Sequence, residues 1–223
     1  MLERILEAEV MDTADEAAEY DAMAHGEVNR RFCEDLLAIE PSPRRVIDVG
    51  TGTARIPLTL CSLHPSCTVV ATDLADHMLA LAERNVREAG MSRRITLSRA
   101  DAKGSTLARH GFDVVMSNSI VHHIPSPGSL FEELLGLLAP GGLLFVRDLE
   151  RPESEEKLAS LVATHAANDT PKQRGLFADS LRAALTLDEV VELLFRFGVP
   201  ASAVTRTSDR HWTIAFRTPR SER

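Results

Sequence analysis

The chain has 223 residues, 44% hydrophobic, 26% charged and 4% aromatic, which excludes disorder, a collagen repeat and a disulfide scaffold and suits one core of ordinary size. Its formal charge of −8 is concentrated at the start, where residues 1–40 carry twelve acids against three arginines and leave the remainder nearly neutral. With one Trp, one Tyr and no long basic face, the chain offers no footprint for a nucleic acid.

The apolar stretch Leu134–Val146 is interrupted by Pro140-Gly141-Gly142 and is too short for a bilayer core about 30 Å thick, so no membrane span is expected. Glu3, Glu7 and Glu9 stand where a secretory signal needs basic residues, which predicts a cytoplasmic protein. Cys33, Cys61 and Cys67 are odd in number and lack CxxC or zinc-like spacing, so they read as buried free thiols and no metal centre is expected.

In chain order, Thr13 with Glu16 forms a capping-box pattern, and Val28, Phe32 and Leu36 at four-residue spacing predict an amphipathic helix over Ala24–Ile39. Strands follow at Arg45–Val49, Thr68–Thr72, Arg94–Ser98, Asp113–Ser117 and Gly142–Asp148. Between them lie helical patterns at Thr53–Leu63, at Asp76–Ala89 ending on Gly90, and at Pro127–Leu138 ending before Pro140-Gly141. Arg151–Leu185 reads as two more helices, one opening at Thr170-Pro171, and Leu187–Phe197 as a last helix capped by Thr186 and Glu189. Ser202–Thr207 and Trp212–Arg217 complete the strands. Apolar strands alternating with amphipathic helices imply an α/β fold with a parallel sheet covered on both faces.

The most informative segment is Val46-Ile47-Asp48-Val49-Gly50-Thr51-Gly52-Thr53-Ala54, a buried strand that runs into a glycine loop and then a helix. Glycines there let the backbone turn sharply and approach a ligand, and the amides of the next helix favour an anionic group. A nicotinamide fingerprint wants a small residue at position 55, where this chain has Arg55.

With Asp48 closing the strand, the loop instead resembles motif I of class I S-adenosylmethionine-dependent methyltransferases, D-x-G-x-G-x-G, with Ala54 in place of the last glycine. The resemblance continues at Val69–Leu74, where Asp73 matches the acid that binds the ribose hydroxyls, and at Ala100-Asp101-Ala102, which matches the adenine contact. Phe112–Ser119, Val121-His122-His123-Ile124 and Leu138–Val146 look like motif IV and the turn before strand five of small-molecule methyltransferases, including those that methylate ubiquinone and menaquinone precursors.

The resemblance implies a Rossmann-like sheet of seven strands, mostly parallel with an antiparallel last strand. It implies one domain over 1–223, with a helical cap at 1–43, a cofactor core at 44–148, a helical insertion at 151–185 and a last helix and hairpin at 186–218. The cofactor is expected to be S-adenosyl-L-methionine, held by Tyr20, Asp48, Gly50, Thr51, Gly52, Asp73, Leu74, Met78, Asp101, Ala102, Ser117 and Asn118. Tyr20, the lone tyrosine, takes the place of an aromatic that closes over the methionine end in the resembled enzymes.

Ligands of open α/β sheets bind outside the carboxyl ends of the strands, where the strand order switches. That rule puts Ser117, Asn118, Ser119, His122 and His123 on one side of the acceptor and Asp148, Glu150 and Arg151 on another, with the turn Ser208-Asp209-Arg210-His211 at the same edge. Phe177, Asp179, Ser180 and Arg182 of the insertion would close the pocket. His122 and His123 are the candidates for catalysis, and Ser119, Asp148, Arg151, Arg182 and His211 for contact with a small-molecule substrate. Plainer roles compete: loop capping for the histidines, a solvated helix position for Arg182, and a hairpin ion pair for Asp209-Arg210. No acceptor atom is legible, nor is the oligomeric state. The competing functions are a cofactor-binding regulator without turnover and a nicotinamide oxidoreductase, the latter opposed by Arg55.

Overall fold

Each β-branched run forms a strand: β1 (Arg45–Val49), β2 (Thr68–Asp73), β3 (Ile95–Arg99), β4 (Phe112–Asn118), β5 (Leu138–Leu149), β6 (Val204–Arg206) and β7 (His211–Arg217). In the computed structural model they make one sheet in the order β3-β2-β1-β4-β5-β7-β6. β1 pairs in parallel with β2 and β4, which places Ile47 opposite Val70 and Val115, and β2 pairs in parallel with β3. β6 and β7 form the expected antiparallel hairpin. The order reverses at β1, so the switch point lies where β1 and β4 end.

The helices are α1 (Ala14–Ala22), α2 (Gly26–Ile39), α3 (Arg55–Leu63), α4 (Asp76–Glu88), α5 (Gly128–Leu137), α6 (Glu155–His165), α7 (Pro171–Ala183) and α8 (Leu187–Phe195), with 3-10 turns at Val121–His123 and Ala201–Ala203. The structure describes residues 2–7, 13–22, 26–104, 107 and 109–220. The expected start of α2 at Ala24 and the side chain of Glu16 in the first capping box lie outside the described residues. Among those described, no helix is long and apolar enough to cross a membrane.

The chain divides into two compact units. One, here the glycine-loop unit, comprises Val10–Asn118, Ser129–Val146 and Ala215–Arg223. Its core joins Phe32 and Leu36 of α2, Val46, Leu60, Val69, Ala82, Val114 and Met116 to Phe145, whose ring meets Phe32 edge-on at 5.0 Å. The other, the histidine unit, comprises Met1–Glu9, Ser119–Gly128 and Arg147–Ile214, and packs Leu149, Leu158, Leu161, Leu181 and Ala184.

Several boundaries differ from those expected, each for a local reason. In α2 the buried stripe is Asn29, Phe32, Cys33 and Leu36, while Val28 is exposed in the first turn. α3 begins at Arg55 instead of Thr53, because Ala54 adopts a left-handed φ of 62°. β5 starts at Leu138 and runs through Pro140-Gly141-Gly142, where a turn was expected. The ladder survives there because Gly141, at φ 78°, donates to the Pro219 carbonyl while Gly142 and Ala139 accept from Thr218. α8 stops at Phe195, two residues early, as Gly198 at φ 75° and Val199 turn their amides back to Phe195 and Leu194. The 3-10 turn after Pro200 takes the first residues expected of β6.

Candidate functional site

At the end of β1, buried Asp48 accepts a 2.7 Å hydrogen bond from the Thr51 hydroxyl. Burial pushes its carboxyl up to about 7, against the Thr51 hydrogen bond and helped by the nearby charge of Asp73. The following loop is folded back by its own backbone: Gly50 and Thr51 donate to the Thr72 carbonyl at 2.9 and 2.8 Å. Gly50 and Gly52 take φ of 77° and 55°, a region that disfavours any residue with a Cβ. The Gly52 amide then donates to Asp73 Oδ2 at 2.7 Å, and Asp73 Oδ1 accepts from Ala75 at 3.0 Å. The carboxylate at the end of β2 is thereby held in a fixed orientation against the loop.

Tyr20 of α1 closes this loop. A Cβ at Gly52 would stand 3.3 Å from Tyr20 Cε1, and the same ring packs with Ala17, Ala75, Met78 and Leu81. Burial, together with the charges of Asp73, Asp48 and Asp21, pushes the phenol up to about 12, so it stays a neutral hydroxyl. Arg55, the residue that breaks the nicotinamide pattern, holds α1 in place through two 2.9 Å hydrogen bonds to Asp21. Asp21 also accepts from Asn85 Nδ2 of α4 at 3.0 Å.

The remaining expected cofactor residues line the ends of neighbouring strands. Ser117 is buried and donates to the Val49 carbonyl at 2.7 Å, tying β4 to β1 at the switch point, and Asn118 follows it. The Leu74 carbonyl accepts from Arg99. Asp101 and Ala102 occupy the turn after β3, where the Lys103 amide and ammonium hold the Asp101 carboxyl below its ordinary range.

The histidine unit contains a second cluster. Asp148, fully buried near the end of β5, accepts from the backbone amides of Val121 and Leu149 at 2.6 Å each and pairs with His122 Nδ1 at 2.5 Å. Burial alone would raise this carboxyl, yet the His122 charge and these hydrogen bonds hold it below its ordinary value. Conversely, burial would lower His122, but Asp148 and then Glu7 raise it. Glu7 Oε1 lies 3.4 Å from His122 Nε2 and 3.2 Å from His123 Nδ1, and the two imidazole rings stand 4.2 Å apart. Arg4 fastens the same N-terminal segment by donating to the carbonyls of Ala183, Ile124, His122 and Pro125. Sequence reasoning missed Glu7 and Arg4, since no local spacing links position 7 to position 122.

Of the expected substrate residues in this unit, only Asp148 joins His122 directly among the described contacts. Ser119 holds φ 60° and donates to the Arg147 carbonyl. Arg151 is buried and committed to the Ala184 carbonyl at 2.9 Å and Glu189 at 2.6 Å. It lines a cavity of about 360 Å³ with Glu150, Lys157, Asp188 and Arg206. Arg182 pairs with Glu155 and Asp179, Phe177 packs on the local core, and Ser180 donates to Glu7. His211 meets Ser208 at 2.8 Å, and burial with the Arg210 charge lowers it to about 4. Asp209 and Arg210 form the hairpin ion pair at 3.0 Å, joined by His165.

Residues 46–142 match a profile of methyltransferase domains. A demethylmenaquinone methyltransferase of Thermus thermophilus is 32% identical over 164 residues, 73% of this chain and 72% of that protein. A malonyl-[acyl-carrier protein] O-methyltransferase of Legionella pneumophila is 30% identical over 154 residues, 68% of this chain and 52% of that protein, so the chain matches about half the length of this relative. Among solved structures, a SAM-dependent methyltransferase from Aquifex aeolicus superposes with a TM-score of 0.66 at 17% identity, over 93% of this chain and 99% of that one.

Proposed function

The chain belongs to the methyltransferase-domain family, and from that premise we propose that it transfers a methyl group from S-adenosyl-L-methionine to a small-molecule acceptor. The observation that carries this reading is the glycine loop closed on Asp73: a strand-end carboxylate oriented by the Gly52 amide, beside two glycines in left-handed conformation and under the Tyr20 ring. Such a cradle fits a nucleoside, because a carboxylate so placed can accept from both ribose hydroxyls and a glycine backbone admits a ligand closely. In this reading Asp48, Gly50, Thr51, Gly52, Asp73, Leu74, Met78, Asp101, Ala102, Ser117, Asn118 and Tyr20 form the cofactor side. The cofactor supplies an activated methyl on a sulfonium, so the protein's principal task is alignment in a dry site, an effect worth about 7–11 kcal/mol.

On the acceptor side we assign His122 and His123. With Asp148 on Nδ1, the neutral form of His122 presents its lone pair at Nε2, the atom that would receive an acceptor's proton, a role that adds about 10²- to 10⁴-fold. Ser119, Asp148, Arg151, Arg182 and His211 remain the proposed shell around the acceptor. We further propose a single functional domain over 1–223, and a cytoplasmic location, supported by three buried free thiols.

The test is release of S-adenosylhomocysteine with a panel of small hydroxy, quinone and carboxylic acceptors, together with calorimetry of S-adenosylhomocysteine binding. Asp73→Ala is expected to weaken that binding by roughly tenfold to a hundredfold, the value of a charge-assisted pair of hydrogen bonds. Unchanged affinity in the folded variant removes the ribose assignment. Absence of product across the panel in a protein that still binds would favour a regulator.

A further inference from the structure

We propose that Glu7, His122 and His123 bind a divalent transition-metal cation of the zinc type. Their ligand atoms lie within 4.8 Å of one another, and the three residues come from two chain segments more than a hundred positions apart. Glu7 Oε1 is shielded from solvent and receives no hydrogen bond, although the two imidazole nitrogens stand 3.4 and 3.2 Å from it. A metal with bonds of 2.0–2.1 Å in tetrahedral geometry separates its ligands by about 3.3 Å, the separation seen on both Glu7 edges.

The surroundings suit a cation. Asp148 takes Nδ1 of His122 and so orients Nε2, the arrangement of an outer carboxylate behind a metal-bound histidine. Glu7 and Asp148 carry two negative charges against the single charge of Arg4, whose guanidinium is committed to backbone carbonyls. Two imidazoles and one carboxylate select borderline metals such as zinc, cobalt or nickel over magnesium and calcium, which favour all-oxygen shells. Three protein donors are also the number that leaves a coordination position for a further ligand. In the metal-free protein Nε2 of His122 is available to a proton; with the cation bound the same lone pair is a ligand.

Glu7, His122 and His123 all belong to one unit, and their binding of a cation does not depend on methyl transfer. The 223-residue chain, stripped with a chelator, is titrated with zinc, with magnesium as control, by calorimetry and metal analysis, and with cobalt by visible absorption. One zinc per chain, no comparable magnesium binding and a cobalt spectrum without a thiolate charge-transfer band are expected. Glu7→Gln and His123→Ala, which both leave the His122–Asp148 pair intact, should each weaken zinc binding by about 100-fold or more while circular dichroism stays native. No zinc uptake by the wild type, unchanged affinity in both folded variants, or a thiolate band overturns the site. Loss of zinc binding with retained S-adenosylhomocysteine binding, or the reverse, separates the failure of this inference from that of the methyltransferase reading.

Discussion

Asp48 is a carboxylate placed where its charge is costly. Burial lifts its folded pKa to about 7, against an ordinary value of about 3.9, so between these values the folded state holds a proton that the unfolded chain has released. Its contribution to stability is therefore full below about pH 4 and is lost as the pH rises through 7, with a steepest slope of about 1.4 kcal/mol per pH unit. Asp48→Asn removes this term while keeping an oxygen for the Thr51 hydroxyl. Urea midpoints at pH 5 and pH 8 should show the variant gaining on the wild type as pH rises; a gain in the opposite direction defeats the assignment. Gly52 sets a different constraint in the same loop, through its φ of 55° and the Tyr20 ring, which would stand 3.3 Å from a Cβ at this position. Gly52→Val, with its branched side chain, should lower stability by about 1–2 kcal/mol or more from backbone strain alone. It should also displace Tyr20, so a blue-shifted, solvent-like tyrosine absorption is expected in the near-ultraviolet spectrum; native stability and spectrum together would contradict that packing.

Among the elements, α8 shows how one side chain serves two tasks. Thr186 and Glu189 complete a reciprocal capping box, and the other oxygen of Glu189 pairs with Arg151 at 2.6 Å. Thr186→Ala should cost about 1 kcal/mol, as a lost cap does. Glu189→Ala should cost about 2 kcal/mol or more, because the buried Arg151 guanidinium loses its carboxylate, although Glu189 is itself partly exposed. Thermal melts that rank the two variants in the reverse order would show that the ion pair contributes little. This box was legible in the sequence, since capping chemistry is local and spans three residues; at Thr170 only the Pro171 start was read, and the box that Gln173 completes there is a finding of the structure. β5 was less legible. Proline and two glycines normally punctuate a strand, but the partners that keep Pro140-Gly141-Gly142 in the ladder are Thr218 and Pro219, some eighty positions later in the chain. Local residue chemistry does not report such a pairing.

For the molecule as a whole, the alternation of strands and helices and the glycine loop were legible from apolar periodicity and glycine spacing, because strand, loop and helix are contiguous, whereas the seven-stranded sheet with its antiparallel end came from the family resemblance. The cluster of Glu7, His122, His123 and Asp148 was not legible, since it depends on an N-terminal segment docking far along the chain. The cysteines lie between these cases: their burial was readable from apolar neighbours, but not the arrangement that places Cys61 Sγ 3.8 Å from Cys67 Sγ. Arg94 closes the end of α3 there by donating to the carbonyls of Cys61, His64 and Cys67. The Cys61 hydrogen bond, against the cost of burial, and the Arg94 guanidinium hold the Cys67 thiol below its ordinary range, so its ionisation does not limit reaction with a thiol reagent. Access does, because Cys33, Cys61 and Cys67 are at most 1% exposed. Native protein at pH 7 should therefore react slowly at all three, by transient opening, and labelling should accelerate with denaturant along the slope of global unfolding. Rapid labelling of any one cysteine without denaturant would mean that the core around α2, α3 and β2 opens locally at low cost, and would place the weakest part of the fold beside the glycine loop instead of at the chain ends.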